Sequence, residues 1–181
     1  SLENLGVPQL RFLLLHRASD MHKGGGAVAR TMESMVRSGL IGGAGVSVYT
    51  LQEILEMLTY PVYTAVQLPL SVFDEQLIDS GILEELHRRG IAVFVRSVYA
   101  QGLMMMDPDS LSNPLLKEFA SRYLRELRAR CALLNCSPAQ YALSFVRDGY
   151  SVLLAQGRLV IDGNPTNQTA ASVFDTVDAS E

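Results

Sequence analysis

The chain has 181 residues, 48% of them apolar and 19% charged, with a net charge of −4 at neutral pH. That composition suits one globular domain with a sizeable core, and the acidic balance supplies no basic stripe for phosphates, so nucleic acid is not an expected partner. No run of about 18 apolar residues occurs and no signal peptide opens the sequence, which points to a soluble cytoplasmic protein with no membrane partner.

The first strand-like run is Leu10–His16, an apolar stretch that ends in a histidine. Gly24-Gly25-Gly26 follows; without a GxxxxGK[ST] or GxGxxG pattern it reads as a flexible loop and not a phosphate cradle. In Ala27–Gly39, Val28, Met32, Met35 and Val36 recur at helical spacing and Gly39 stops the helix. Ala44–Val48 is the second strand. Thr50 then caps a helix over Leu51–Leu58, with Leu51, Ile54, Leu55 and Leu58 as its stripe. Tyr63–Leu68 is the third strand, Leu77–Arg89 a helix closed by Gly90, and Ile91–Val98 the fourth strand. These strands turn polar at one end, at His16, Ser47, Gln67 and Arg96-Ser97. In a parallel β/α protein that change marks the C-terminal rim, where sites are built.

Beyond Arg96 the pattern loosens. Gly102–Asp109 reads as a loop whose Met104-Met105-Met106 packs beneath it. Asn113-Pro114 and Ser137-Pro138 each pair an N-cap with a first-turn proline, opening helices over Pro114–Leu134 and Pro138–Asp148. The basic stretch Arg122–Arg130 reads as the wet face of the first of these. Cys131 and Cys136, the two cysteines of the chain, have no CxxC or Cys/His ligand spacing and read as half-buried thiols, not as metal ligands or a disulfide framework. Ser151–Ala155 is the fifth strand-like run. The organisation is thus a β/α body over 1–155 and a loop-rich segment over 156–181, with a weak helix over Thr169–Val177 as the alternative for part of it. Five strands with crossovers of about 20–30 residues suit an open sheet or part of a closed barrel, and periodicity does not choose.

Eight short motifs carry a resemblance. Leu13-Leu14-Leu15-His16-Arg17, Val36-Arg37-Ser38-Gly39, Gly45-Val46-Ser47 and Val66-Gln67-Leu68-Pro69 come first. Asp79-Ser80-Gly81-Ile82-Leu83, Gly90-Ile91-Ala92-Val93, Arg96 through Leu103 and Ser137-Pro138-Ala139-Gln140-Tyr141-Ala142-Leu143 follow. In order and spacing they resemble the aldo/keto reductase family over about residues 1–155. The resemblance implies an α/β fold, a partial (β/α)8 TIM barrel of about five parallel βα units, since a whole barrel needs about 250 residues. It places the start of the chain before barrel strand four, with the first three strands missing.

The resemblance also implies a chemistry: hydride transfer from NADPH or NADH, without a Rossmann motif, to a small carbonyl substrate. His16 matches the histidine that orients the substrate oxygen. The aspartate, tyrosine and lysine of the family's site belong to the first three strands, and none of the seven tyrosines stands in the proton-donor context. Tyr49 and Tyr99 read as packing rings over the rim. Ser47 and Gln67 match the residues that hold the nicotinamide carboxamide, while Val48 stands where an asparagine is usual. Arg96 aligns with the aromatic that stacks on the nicotinamide, and is open to stacking, to a phosphate contact or to pairing with Asp74. Ser97 through Gly102 match the loop that approaches the pyrophosphate. For the last strand two registers stand: Ser151–Gly157, or Leu159–Gly163 with a phosphate loop to Gln168 and Arg158 as the nearby cation. Two functions follow, a carbonyl reductase seen in part and a non-catalytic reductase-derived binding or regulatory module. The chain by itself is expected to be inactive, and its exposed barrel edges to promote self-association or capture of a companion fragment.

Overall fold

The computed structural model describes residues 2–73 and 76–155. It divides into two compact units, one running to Pro69 and resuming over Leu77–Arg96, the other taking Leu70–Gln76 and resuming at Ser97. After a short helix α1 (Leu2–Leu5) come β1 (Leu10–Leu15), α2 (Ala27–Arg37), β2 (Ile41–Ser47), α3 (Leu51–Met57) and β3 (Tyr63–Pro69). Then come α4 (Gln76–Asp79), α5 (Ile82–Arg88), β4 (Ala92–Arg96), α6 (Pro114–Leu133) and α7 (Pro138–Ala155).

The first unit is a parallel sheet of order β1-β2-β3-β4. Alternation along a strand gives the sheet two unlike faces. One carries Ala44, Val46, Val66 and Leu68, all inaccessible to solvent. Around it lie the buried stripes of the crossover helices: Ala29 and Met32 of α2, Ile54 and Met57 of α3, and Ile82, Leu83 and Leu86 of α5. The other face carries Phe12, Leu14, Gly43, Gly45, Ala65 and Phe94, and there Phe12 and Phe94 meet edge-on at 5.6 Å. A methyl on Gly43 would lie 2.7 Å from the Phe12 ring, and one on Gly45 would lie 2.6 Å from the Ala65 carbonyl oxygen. These glycines make room for neighbours, which is why β2 begins at Ile41 and not at Ala44; propensity alone disfavours glycine in a strand.

Local signals act as expected at several ends. Thr50 and Glu53 form a reciprocal capping box at the start of α3. Gly39, at φ +74, closes α2 with Leu40 N–H donating to the Met35 carbonyl at 3.0 Å. Asn113 Oδ1 accepts from Leu115 N–H at 3.0 Å at the start of α6, and Ser137 with Gln140 caps α7. Gly24, Gly25 and Gly26 all hold positive φ ahead of α2.

Three expectations need correction. The helix expected over Leu77–Arg89 is two helices, because Ser80-Gly81 interrupts it: Gly81 is left-handed at φ +70, and Ser80 Oγ donates to the Leu77 carbonyl while accepting from Ile82 N–H. The residues expected as a loop after β4 hold two 3₁₀ segments, Ala100–Met105 and Pro108–Ser110. The fifth strand, Ser151–Ala155, is the last turn of α7, so four parallel strands stand among the described residues. A short apolar run is compatible with either element, and Gly149 weakens a helix by only about 1 kcal/mol, too little to end one that is capped and continuous. The same helix rules out the register Ser151–Gly157 for a last strand over its described part, while the register Leu159–Gly163 and the weak helix over Thr169–Val177 lie outside the described residues.

The second unit has its own core of Met104, Ala120, Leu124, Leu127, Cys131 and Ala142. Of the three methionines Met104 is buried, while Met105 and Met106 are nearly half exposed. The corner between α6 and α7 is a Schellman motif: Asn135 is left-handed at φ +49, Asn135 N–H donates to the Ala132 carbonyl at 3.2 Å, and Cys136 N–H donates to that of Cys131 at 3.0 Å.

Candidate cofactor site at the strand ends

Register explains why three of the residues singled out in the sequence stand together. Leu14 pairs with Gly45 and Leu15 with Val46, so His16, one residue past β1, is level with Ser47. Ser47 pairs in turn with Gln67, and Gln67 with Phe94. His16, Ser47 and Gln67 therefore form a row across three neighbouring strands at their C-terminal ends. They continue the face that carries Phe12 and Phe94, opposite the one lined by Ala44 and Val46.

Ser47 is 7% exposed and its hydroxyl donates to Gln67 Oε1 at 3.2 Å. Backbone contact continues past the strand end, with Val48 N–H donating to the Gln67 carbonyl at 2.8 Å. The serine hydroxyl thus sets the orientation of the glutamine amide, whose Nε2 donates to no acceptor among the described residues while Oε1 retains a further lone pair. A flat primary carboxamide, with one donor group and one acceptor, is matched by that pair. His16 is exposed. Nearby Asp20 is paired with Lys23 at 2.7 Å, and that hydrogen bond holds its carboxyl below the usual carboxylate range.

Arg96 is held from two sides. Its Nη2 donates to the Val48 carbonyl at 3.1 Å, and the guanidinium lies over the Tyr49 ring with Cζ 4.0 Å from the centroid. The carbonyl contact uses one of five guanidinium N–H groups, and the stacking leaves its edge available to an anion or a polar ring. Asp74, the acid considered as its partner, lies outside the described residues. Tyr49, read from the sequence as a packing ring over the rim, has Arg96 as its definite partner, a pairing no local signal could give because it depends on which strand ends lie together.

In the second unit, Ser97, Ala100 and Gln101 all adopt positive φ, at 62°, 47° and 55°, and Gly102 follows at 89°. Left-handed backbone costs a residue with a Cβ about 1–2 kcal/mol. The turn persists because Ala100 N–H donates to the Ser97 carbonyl at 2.8 Å and Gly102 N–H to that of Tyr99 at 2.9 Å. A Cβ on Gly102 would meet nothing within 4 Å, so the glycine serves its φ and not a close contact within the protein. Among the described residues no cluster of three or more His, Cys, Asp or Glu side chains is arranged for a metal, and no helix is long and apolar enough to cross a membrane.

A family model described as the aldo/keto reductase family matches residues 1–171. No curated protein matches the sequence significantly. The glycerol dehydrogenase of Gluconobacter oxydans is similar in structure with a TM-score of 0.66 at 16% identity, over 98% of this chain and 60% of its own. An aldo-keto reductase of Bacillus halodurans, in its holo form, gives 0.63 at 18% identity over 99% and 56%. The aldose reductase of Giardia lamblia gives 0.54 at 15% over 98% and 63%. At these identities the likeness is one of fold: the parallel strands form part of a barrel of this type. The chain spans less than two thirds of the length of each of these structures.

Proposed function

Because the chain belongs to the aldo/keto reductase family, we propose that it is the cofactor-holding portion of an NAD(P)H-dependent carbonyl reductase, with β1–β4 as the fourth to seventh strands of the barrel. The observation that carries this reading is the row His16–Ser47–Gln67, with Ser47 hydrogen-bonded to Gln67. Ser47 and Gln67 bind and orient the carboxamide of the cofactor. The reduced nicotinamide, when bound, supplies the hydride for an aldehyde or ketone. His16 donates a hydrogen bond to the substrate oxygen and aligns it. Ser97 through Gly102 present backbone to the pyrophosphate. A cytoplasmic location belongs to the same reading.

No tyrosine, lysine and aspartate of this sequence match the family's proton-donating group. A well-placed general acid is worth about 10²–10⁴-fold in rate, so these residues alone hold a cofactor and orient a substrate without completing the reduction. One observation favours a second reading, a non-catalytic reductase-derived module: Arg96 stands where the resemblance puts the aromatic that stacks on the nicotinamide, and its guanidinium lies instead over the Tyr49 ring.

Two measurements decide. Incubated with NADPH and a panel of small aldehydes and ketones, the chain alone is expected to show no turnover above background; robust turnover abolished in His16→Ala would overturn that. In a fluorescence titration with NADPH and NADH, the first reading expects saturable binding, weakened about 5–10-fold in Gln67→Ala by loss of a hydrogen-bonding side chain. Absence of binding, or binding indifferent to Gln67→Ala and Ser47→Ala, favours the second.

A further inference from the structure

We propose that Cys131 and Cys136 form a redox-active dithiol that reacts with low-molecular-weight disulfides of the glutathione class and closes to an intrachain bridge across the α6–α7 corner. The inference is independent of the proposed function, since both residues belong to the second unit's own core and corner.

The placement comes from the helix end. In a Schellman motif the residue two past the cap donates its N–H to the third residue from the helix end, and the side chains of those two residues come into contact. Here those residues are Cys136 and Cys131, joined by the 3.0 Å backbone bond. A disulfide needs Cα atoms about 4.4–6.8 Å apart with converging Cβ atoms, and a direct N–H···O=C link of this kind brings two residues into that range. Cys136 also packs against the buried cluster to which Cys131 belongs. Cys131 is 3% exposed, whereas Cys136 is half-buried and reachable from solvent.

That asymmetry assigns the roles. Burial first, then the neighbouring Cys136, pushes the Cys131 thiol up to about 11, so Cys131 stays protonated while the accessible Cys136 is the first to attack. The Cys136 thiolate forms a bond to one sulfur of glutathione disulfide, the S–S bond breaks, and one glutathione thiolate leaves. Cys131 then gives up its proton and attacks Cys136 Sγ, expelling the second glutathione. Two protein thiols are oxidised and one glutathione disulfide is reduced to two thiols. Once Cys136 is in the mixed disulfide it carries no negative charge, so its share in holding the Cys131 thiol up is gone when Cys131 must give up its proton.

The test is oxidation of the full chain with glutathione disulfide, followed by tryptic mass spectrometry of the segment Cys131–Arg147, which contains both cysteines. The expected product is that peptide lighter by two hydrogens, restored by dithiothreitol. Cys131→Ala should instead retain glutathione on Cys136, and Cys136→Ser should react at least about tenfold more slowly. Sequence proximity alone is separated by repeating the glutathione equilibrium in guanidinium: the folded chain should close with an effective thiol concentration at least about tenfold higher. A stable mixed disulfide at Cys136 beside an alkylatable Cys131, disulfide-linked dimers as the main product, or equal closure in the folded and denatured chain would each overturn the proposal.

Discussion

Tyr63 is 2% exposed, and its hydroxyl has no hydrogen-bond partner among the described residues. Burial, and secondarily the neighbouring Tyr60, pushes its phenol up. An unsatisfied buried hydroxyl costs about 1–3 kcal/mol. Tyr63→Phe keeps the ring packed 5.8 Å from that of Tyr60 and removes the orphan. Urea unfolding should therefore show stability unchanged or raised by up to about 1 kcal/mol, and a loss larger than that would mean the hydroxyl is satisfied after all. Gly43 has the opposite character. Gly43→Ala drives a methyl into the Phe12 ring and the Thr64 hydroxyl and should cost about 1–3 kcal/mol by overpacking, partly restored in Gly43→Ala/Phe12→Leu. His16, Ser47 and Gln67 stood out as polar ends of apolar strands. The grip of Tyr49 on Arg96 did not, because it depends on which strand lies beside which.

Among the elements, α3 owes its start to the Thr50–Glu53 box. Thr50→Ala should lower stability by about 1 kcal/mol, measurable by denaturant titration. The end of α5 carries a pH dependence. Hydrogen bonds from Arg88 and then Arg89 hold the Glu85 carboxyl down to about 2, from an ordinary 4.5. A carboxylate whose folded value is depressed contributes fully above its unfolded value and loses that contribution as pH falls through the folded one. Between about pH 4.5 and 2 the wild type should thus lose helical signal by circular dichroism more steeply than Glu85→Gln; superimposable acid profiles would show the pair to be thermodynamically silent. Ends with a local chemical signature, Thr50, Gly39, Asn113 and Ser137, were legible in the sequence. The run Ser151–Ala155 was not, since five apolar and small residues satisfy strand and helix alike, and its membership of α7 follows from the capped helix that runs into it.

At the scale of the molecule, β1 and β4 each pair with a neighbour on one side only among the described residues, and Phe94 is 39% exposed on the face it shares with Phe12. Open strand edges beside apolar side chains favour association. Sedimentation velocity should accordingly show the chain dimerising or associating further with rising concentration, and a stable, monodisperse monomer would count against this. The second unit should be sensitive at its centre, where Leu124→Ala is expected to cost about 2–5 kcal/mol. The sequence by itself determined the family, the alternation of strands and helices and the polar residues at the strand ends, because each leaves a mark within a few residues: an ordered motif, a period or a cap. Only the tertiary structure decided that Gly43 and Gly45 make room on a shared face, that Ser47 meets Gln67 while Arg96 meets Tyr49, and that the backbone N–H of Cys136 returns to the Cys131 carbonyl. Those outcomes depend on register between strands and on the turn of the chain at a helix end, which bring together residues whose sequence neighbours carry no record of the meeting.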